Sequence, residues 1–222
     1  MPPRFGRARW HTGVSVVTRP VGFDLDMTLI DSRPAIMAAF GALSDELGAL
    51  IDLEHVNRRL GVKLEDELAY WFDTSEIPAA ATVFRRHYVA LAVRCTPPMP
   101  GAHAALAAVR AAGNSSAIIT AKHHISVAPC LMATGIQADQ VFTFVHGPEK
   151  SAVLRQISAA VFVGDTPDDM IAATTAGTVA LGVATGSFTA ADLTEADASA
   201  VLRSLEEFPA WYSEFRDSAR CG

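Results

Sequence analysis

Asp24 and Asp26 stand two positions apart after the short apolar run Val21-Gly22-Phe23, with the hydroxyl of Thr28 two residues further on. If the run is a strand, its period of two points both carboxylates the same way. Two like charges that close are mutually costly unless a cation or a shared proton relieves them. The pattern therefore points to a bound metal, a proton-transfer role, or both.

Three other polar groups follow apolar runs or precede them. Thr120 comes after Ala117-Ile118-Ile119, with Lys122 two residues on. Gly164-Asp165-Thr166-Pro167-Asp168-Asp169 comes after Val161-Phe162-Val163, and Lys150 opens the helical stretch before that run. Each alone has an ordinary explanation. An Asp after a strand is more often a helix N-cap than a catalyst, and Asp168 and Asp169 suit the positive end of a helix. Four such elements at one kind of position are poorly explained that way. Acids gathered without a His or Cys cluster describe a hard oxygen-ligand site, for which Mg²⁺ is the natural occupant. A carboxylate can also attack phosphorus and form an aspartyl-phosphate. A metal and a lysine would offset the charge repulsion in that step. Of the 18 basic residues only Lys63, Lys122 and Lys150 are lysines, and the last two fall beside these motifs.

The elements that must position these groups follow from periodicity and punctuation. Residues 21–25 are predicted as a strand. Helices are predicted over Pro34–Leu47, Leu53–Leu60, Leu64–Phe72 and Ala79–Val93, with Gly48, Gly61 and Pro78 as breaks. The stiff segment Thr96-Pro97-Pro98-Met99-Pro100-Gly101 follows. Beyond it, helices (His103–Ala112, Ile125–Thr134, Ser151–Ile157, Asp168–Ala176) alternate with strands (Ser116–Thr120, Val141–Val145, Ala160–Val163, Thr178–Val183). Such alternation predicts an α/β, Rossmann-like parallel sheet with helices on both faces. The helical block after the first strand is expected to be an inserted all-helical cap. The division is then a tail over residues 1–20, a core over 21–32 and 97–222, and a cap over 33–96. Ligands bind such sheets beyond the carboxyl ends of the strands, where every motif above falls.

Composition sets the outer limits. With 222 residues and half of them hydrophobic, the chain can bury a large core. A net charge of −6 argues against a nucleic-acid or anionic-membrane partner. Cys95, Cys130 and Cys221 lack metal-site spacing, which fits a reducing cytoplasm. No apolar run approaches the ~18 residues of a membrane span. The Arg-rich, acid-poor first 20 residues read as a loose tail, with an organellar transit peptide as the alternative. The oligomeric state is open; Trp211, Tyr212 and Phe215 are apolar enough to pack on the core or on a partner.

Taken in order, the motifs resemble those of the haloacid dehalogenase superfamily, in particular its phosphoglycolate-phosphatase-like branch. Asp24-Leu25-Asp26-Met27-Thr28 is similar to the family's DxDxT, Ile118-Ile119-Thr120 to its second motif, and Lys150 to its third. Gly164-Asp165-Thr166-Pro167-Asp168-Asp169 is similar to its GDxxxD. The likeness runs from about residue 21 to residue 208. It implies a Mg²⁺-dependent phosphatase acting on a small phosphorylated metabolite. Asp24 would be nucleophile and metal ligand. Asp26 would be the acid/base, with its backbone carbonyl on the metal. Thr120 and Lys150 would hold the phosphoryl oxygens, and Asp165 and Asp169 would complete the metal site, Asp168 being the lesser partner. Two departures stand out. Met27 replaces a common Gly, so a positive φ there would be strained, and Lys150 is not followed by Pro. Lys122 is the fallback phosphate cation.

Arg33, Arg58, Arg59, Lys63 and Arg85 are the cap's candidates for leaving-group contacts, although charges on amphipathic helices are mostly solvated. His123, His124 and His146 read as surface or turn residues. Two other readings stay open: a phosphomutase of the β-phosphoglucomutase kind, or a non-catalytic binding protein of the same fold.

Overall fold

The structure, a computed structural model, describes residues 19–221, with side chains to 218; of the tail expected over residues 1–20, positions 1–18 and with them the question of its nature lie outside the described residues. Six parallel strands form one sheet in the order β3-β2-β1-β4-β5-β6. They are β1 (Val21–Phe23), β2 (Ser116–Ile119), β3 (Gln140–Phe142), β4 (Val161–Gly164), β5 (Val179–Val183) and β6 (Ala200–Leu202). The chain grows outward from β1 in one direction, then crosses to β4 and grows in the other. That reversal places a topological switch point between β1 and β4, which pair Val21 with Val161 and Phe23 with Val163. A crevice opens at the carboxyl edge of such a point.

Helices α1 (Arg33–Leu47), α2 (Leu53–Arg58), α3 (Leu64–Leu68) and α4 (Ile77–Cys95) fall between β1 and β2. Helices α5 (Ala102–Ala111), α6 (His124–Thr134), α7 (Pro148–Gln156) and α8 (Pro167–Ala176) connect the remaining inner strands. Short apolar strands buried on both faces explain the layering: all residues of β1, β2 and β4 are buried. Phe23, Ile118, Phe162 and Leu181 show no exposure. Each such side chain contributes roughly 1.5–3 kcal/mol on burial. The helical insertion shares this core through Phe40, Leu43, Phe84 and Tyr88, and α1 and α4 pack together, with α4 also against α6. The two chain segments that enter and leave the insertion run side by side. Asp31 N–H donates to Pro97 O at 2.9 Å and Met99 N–H to Leu29 O at 2.9 Å.

Several boundaries differ from the sequence expectation. β1 stops at Phe23 rather than residue 25, because the chain turns: the N–H groups of Leu29 and Ile30 both donate to Leu25 O. Asp24 and Asp26 therefore sit on a turn, not on a strand of period two. Helix α3 ends at Leu68, four residues short, and α4 extends to Cys95. β6, α9 (Ala190–Glu195) and α10 (Phe208–Cys221) add to the expected elements. β6 and α9 are too short to signal a period, whereas Phe208, Trp211, Tyr212 and Phe215 recur at the i, i+3, i+4, i+7 spacing that marks α10 as an amphipathic helix. Of the three C-terminal aromatics, Tyr212 is buried on the core, its hydroxyl accepting from Asn114 Nδ2 at 2.6 Å. Trp211 and Phe215 pack against the same core, and the ring of Phe208 lies 5.5 Å from that of Phe23.

Candidate active site

The turn after β1 is built to present its two acids differently. Met27 adopts φ +56°, the left-handed region that costs a branched or long side chain on the order of 1–2 kcal/mol. Three contacts hold it there. Its N–H donates to Ile30 O at 2.8 Å, its carbonyl accepts from Thr185 Oγ1 at 2.6 Å, and its side chain is buried. This bend leaves Asp24 deep, at 7 % exposure. Asp26 sits nearer solvent, with 27 % of its side chain exposed.

Across the switch point, Asp165 follows β4 and Asp169 lies in the first turn of α8. Thr166 caps that helix. Its hydroxyl accepts from Asp169 N–H at 3.2 Å, and Asp169 Oδ2 accepts from Thr166 N–H at 3.3 Å and from the Thr166 hydroxyl at 2.7 Å. This reciprocal capping box fixes Asp169, which is fully buried, and turns its other oxygen toward Lys150. Asp165 is held by the fully buried Thr28, whose hydroxyl donates to Oδ1 at 2.9 Å. Gly186 makes room for it: a Cβ there would lie 2.0 Å from Asp165 Oδ2. Gly164 does the same for Asp169, with a Cβ 2.5 Å from its side chain.

Lys150, in the first turn of α7, binds the two sides together. Its ammonium donates to Asp24 Oδ1 at 2.9 Å and to Asp169 Oδ1 at 2.7 Å. Burial alone would lower its pKa, but Asp169 and Asp24 together outweigh burial and hold the ammonium above its ordinary range. The acids respond in the opposite sense. Burial pushes Asp24 up to about 7, with Asp169 and Asp26 adding to it against the pull of Lys150. Burial, then Asp24 and Asp169, raise Asp165 as well.

Asp24, Asp165 and Asp169 each offer a carboxylate oxygen within 4.8 Å of the others. With all three acids ionised, one buried ammonium would leave an excess of two negative charges, which is why burial and mutual repulsion raise Asp24 and Asp165 in the metal-free protein. An all-oxygen donor set with that excess fits a hard divalent cation. Asp168, by contrast, is exposed and outside the cluster. The carboxylate of Asp26 is also outside it, bonded instead to Lys122 Nζ at 2.7 Å. Lys122, the fallback phosphate cation of the sequence, is thus engaged elsewhere. Its Nζ also lies 4.3 Å above the ring of Tyr88 on α4, and its side chain is only 8 % exposed. Thr120 is buried at the end of β2, its Oγ1 accepting from Lys122 N–H at 3.1 Å.

These groups open into a cavity of about 670 Å³ between the strand edge and the helical insertion. The structure brings Asp24, Asp26, Thr120, Lys150, Asp165 and Asp169 to its wall. Of the insertion's basic residues, Arg59, Lys63 and Arg85 reach this cavity, whereas Arg33 and Arg58 do not. Arg33 pairs with Asp31 at 2.8 Å and Arg58 faces Glu54 at 3.8 Å. His123 and His146 line the cavity too. Burial lowers both imidazoles, aided by Arg85 and by Lys63 respectively. His123 Nδ1 also accepts from Ile125 N–H at 3.4 Å, so that ring serves the start of α6. Thr28, Thr166, Thr185 and Tyr88 carry parts of the site to which the sequence gives no role. Thr28 and Thr166 stand inside the two acid motifs and Thr185 within the stretch of family likeness, whereas Tyr88 carries no signal.

A fold with this switch point and acid cluster is matched over residues 21–183 by the family of haloacid dehalogenase-like hydrolases. The chain belongs to that family and is a hydrolase, similar to phosphatases. It is 29 % identical to a plasmid-borne phosphoglycolate phosphatase of Cupriavidus necator, over 89 % of this chain and 94 % of that protein. It is 32 % identical to a phosphoglycolate phosphatase of Neisseria meningitidis, over 75 % of this chain and 80 % of the relative. A haloacid dehalogenase-like hydrolase from Streptococcus pneumoniae shares the fold at a TM-score of 0.76 and 23 % identity, covering 88 % of this chain and 98 % of its own. Among the described residues, no helix is long and apolar enough to cross a membrane.

Proposed function

We propose that the protein is a Mg²⁺-dependent phosphatase that hydrolyses the monoester of a small phosphorylated metabolite through an aspartyl-phosphate. The observation that carries this reading is the convergence of Asp24, Asp165 and Asp169 on one point with Lys150 bridging two of them. The names of the relatives support the phosphatase class and make phosphoglycolate the reference ester.

In this reading Asp24 Oδ attacks phosphorus, and the bond to the ester oxygen breaks as the Asp24–phosphorus bond forms. Asp26 gives a proton to the departing alcohol. It then takes one from the water that cleaves the aspartyl-phosphate and releases inorganic phosphate. Thr120 and Lys150 hold the phosphoryl oxygens. Asp24, Asp165, the backbone carbonyl of Asp26 and Asp169, directly or through water, would hold the Mg²⁺. When bound, the ion supplies positive charge that offsets the repulsion between carboxylate and phosphoryl group. Lys122 keeps the Asp26 carboxyl in place. Helices α1–α4 act as a cap that encloses the cavity, excludes water and chooses the leaving group.

The test is phosphate release from a panel of phosphate esters with purified protein and Mg²⁺, repeated in EDTA. Release that requires the metal and disappears in Asp24→Asn is the expected result. A silent panel, or an Asp24→Asn variant that behaves as the parent does, would remove the reading.

A further inference from the structure

The wall of the cavity away from the strand edge has an unusual charge balance for a site meant to grip a small anionic leaving group. Arg59 is bonded to Glu67 at 2.9 Å, and Arg85 to Glu65. All four side chains line the cavity, so each guanidinium brings its own counter-charge with it. Lys63, exposed, is the remaining cation of the insertion there, and it makes no ion pair among the described residues. A carboxylate on the leaving group would meet Glu65 and Glu67 beside two paired guanidiniums, with the exposed Lys63 as its one unpaired counter-ion on that wall.

What the wall offers instead is apolar and aromatic surface. Ile36, Phe40, Val56, Leu64 and Phe84 line the insertion side. At the opposite rim Phe144 is half-exposed, held at φ +58°. That backbone region is costly for a bulky residue, and such strain tends to cluster at functional sites. Its ring lies 5.4 Å from that of His123 and 4.9 Å from that of His146, edge to face with both. Half of the Phe144 side chain nevertheless stays open to solvent. Arg85 Nε is buried and has no hydrogen-bond partner, a donor left open on a residue that lines the cavity. The volume of about 670 Å³ lies within the roughly 300–1,000 Å³ of pockets that enclose drug-sized ligands. A two-carbon acid would leave most of it to water.

We infer that the site takes a phosphate ester whose leaving alcohol is uncharged and carries a flat ring. The ring seats against Phe144, and a carbonyl or ring nitrogen accepts from Arg85 Nε. This rests on the phosphatase reading above and departs from the ester in the relatives' names.

The experiment compares kcat/KM of the wild-type chain with Mg²⁺ for uridine 5′-monophosphate, pyridoxine 5′-phosphate, 2-phosphoglycolate, p-nitrophenyl phosphate and acetyl phosphate. The expected result is at least one of the first two exceeding 2-phosphoglycolate by about tenfold or more, the scale of one good aromatic contact. If 2-phosphoglycolate matches or beats both, the inference is wrong while the phosphatase reading stands. If no ester releases phosphate, acetyl phosphate included, both fall together. Phe144→Ala should raise KM for the preferred ring ester by roughly tenfold, and by a larger factor than for acetyl phosphate. Equal changes for the two would overturn the seat assigned to Phe144.

Discussion

The two walls of the cavity solve opposite electrostatic problems. At the strand edge, Asp24, Asp165 and Asp169 are buried with too little positive charge, and burial raises Asp24 and Asp165 above the ordinary carboxylate range. On the insertion, Arg59–Glu67 and Arg85–Glu65 are balanced internally. An unbalanced cluster costs stability until a ligand or metal completes it, so it marks where chemistry occurs. A balanced wall costs little and attracts ions of neither sign strongly, so it sorts by shape and polarity. The same residue types therefore carry different information depending on whether their neighbours neutralise them.

That contrast is broken most severely by Asp24→Asn, which keeps the shape and removes the attacking oxygen's charge. Turnover should fall by about 10⁴-fold or more, read as phosphate release under saturating Mg²⁺. Lys150→Met comes next, because it leaves Asp24 and Asp169 facing each other without their shared ammonium. The expected loss is about 10²–10³-fold in kcat. Unpairing buried charges should also destabilise the metal-free fold by about 3–5 kcal/mol, measurable by urea unfolding in EDTA. Lys122→Met should cost less, about 10–10²-fold. Its effect should be greater on alkyl esters, which need a proton on the leaving oxygen, than on p-nitrophenyl phosphate. Equal losses on both would detach Lys122 from the role of holding Asp26.

The imbalance at the strand edge should also appear in stability against pH. Asp24, raised from 3.8 to about 7 by burial, holds a proton in the folded metal-free protein that the unfolded chain has already lost. Its contribution is full below the unfolded pKa of 3.8 and is lost as pH rises through about 7. In EDTA, raising the pH from about 5 to about 7.5 should therefore lower the wild-type Tm by a few degrees more than that of Asp24→Asn. A parallel course for the two would show that the carboxyl is not held neutral. The smallest effect belongs to Arg58→Ala, outside the cavity. It should change kcat/KM by less than about twofold and stability by no more than about 0.5 kcal/mol.

Much of the strand edge is legible in the order of residues alone. Short apolar runs ending in Asp24, Thr120 and Asp165 fix both a buried parallel sheet and the edge on which those groups emerge. The rule that ligands bind at strand carboxyl ends then brings them together. Period two fails for Asp24 and Asp26, because the hydrogen bonds that turn the chain at Leu25 depend on Thr185 and Ile30 as well as on local preference. The basic residues of the insertion are legible only as a set. Which of them reach the cavity depends on where α2 and α3 stop, and helix ends are weakly encoded when the last turns are held by tertiary contacts.

The sequence by itself determined five of the six strands as a parallel sheet, the helical insertion after the first of them, and the acids, hydroxyl and lysine at the strand ends. Those follow from residue type and short-range order, which period and punctuation record. Only the tertiary structure decided that Lys150 bridges Asp24 and Asp169, that Lys122 pairs with Asp26, and that Arg59 and Arg85 arrive already neutralised. Lys150 meets Asp24 across 126 positions of chain and Lys122 meets Asp26 across 96. Whether a charge is paired is a property of the neighbours that folding supplies, and no local pattern in the chain can carry it.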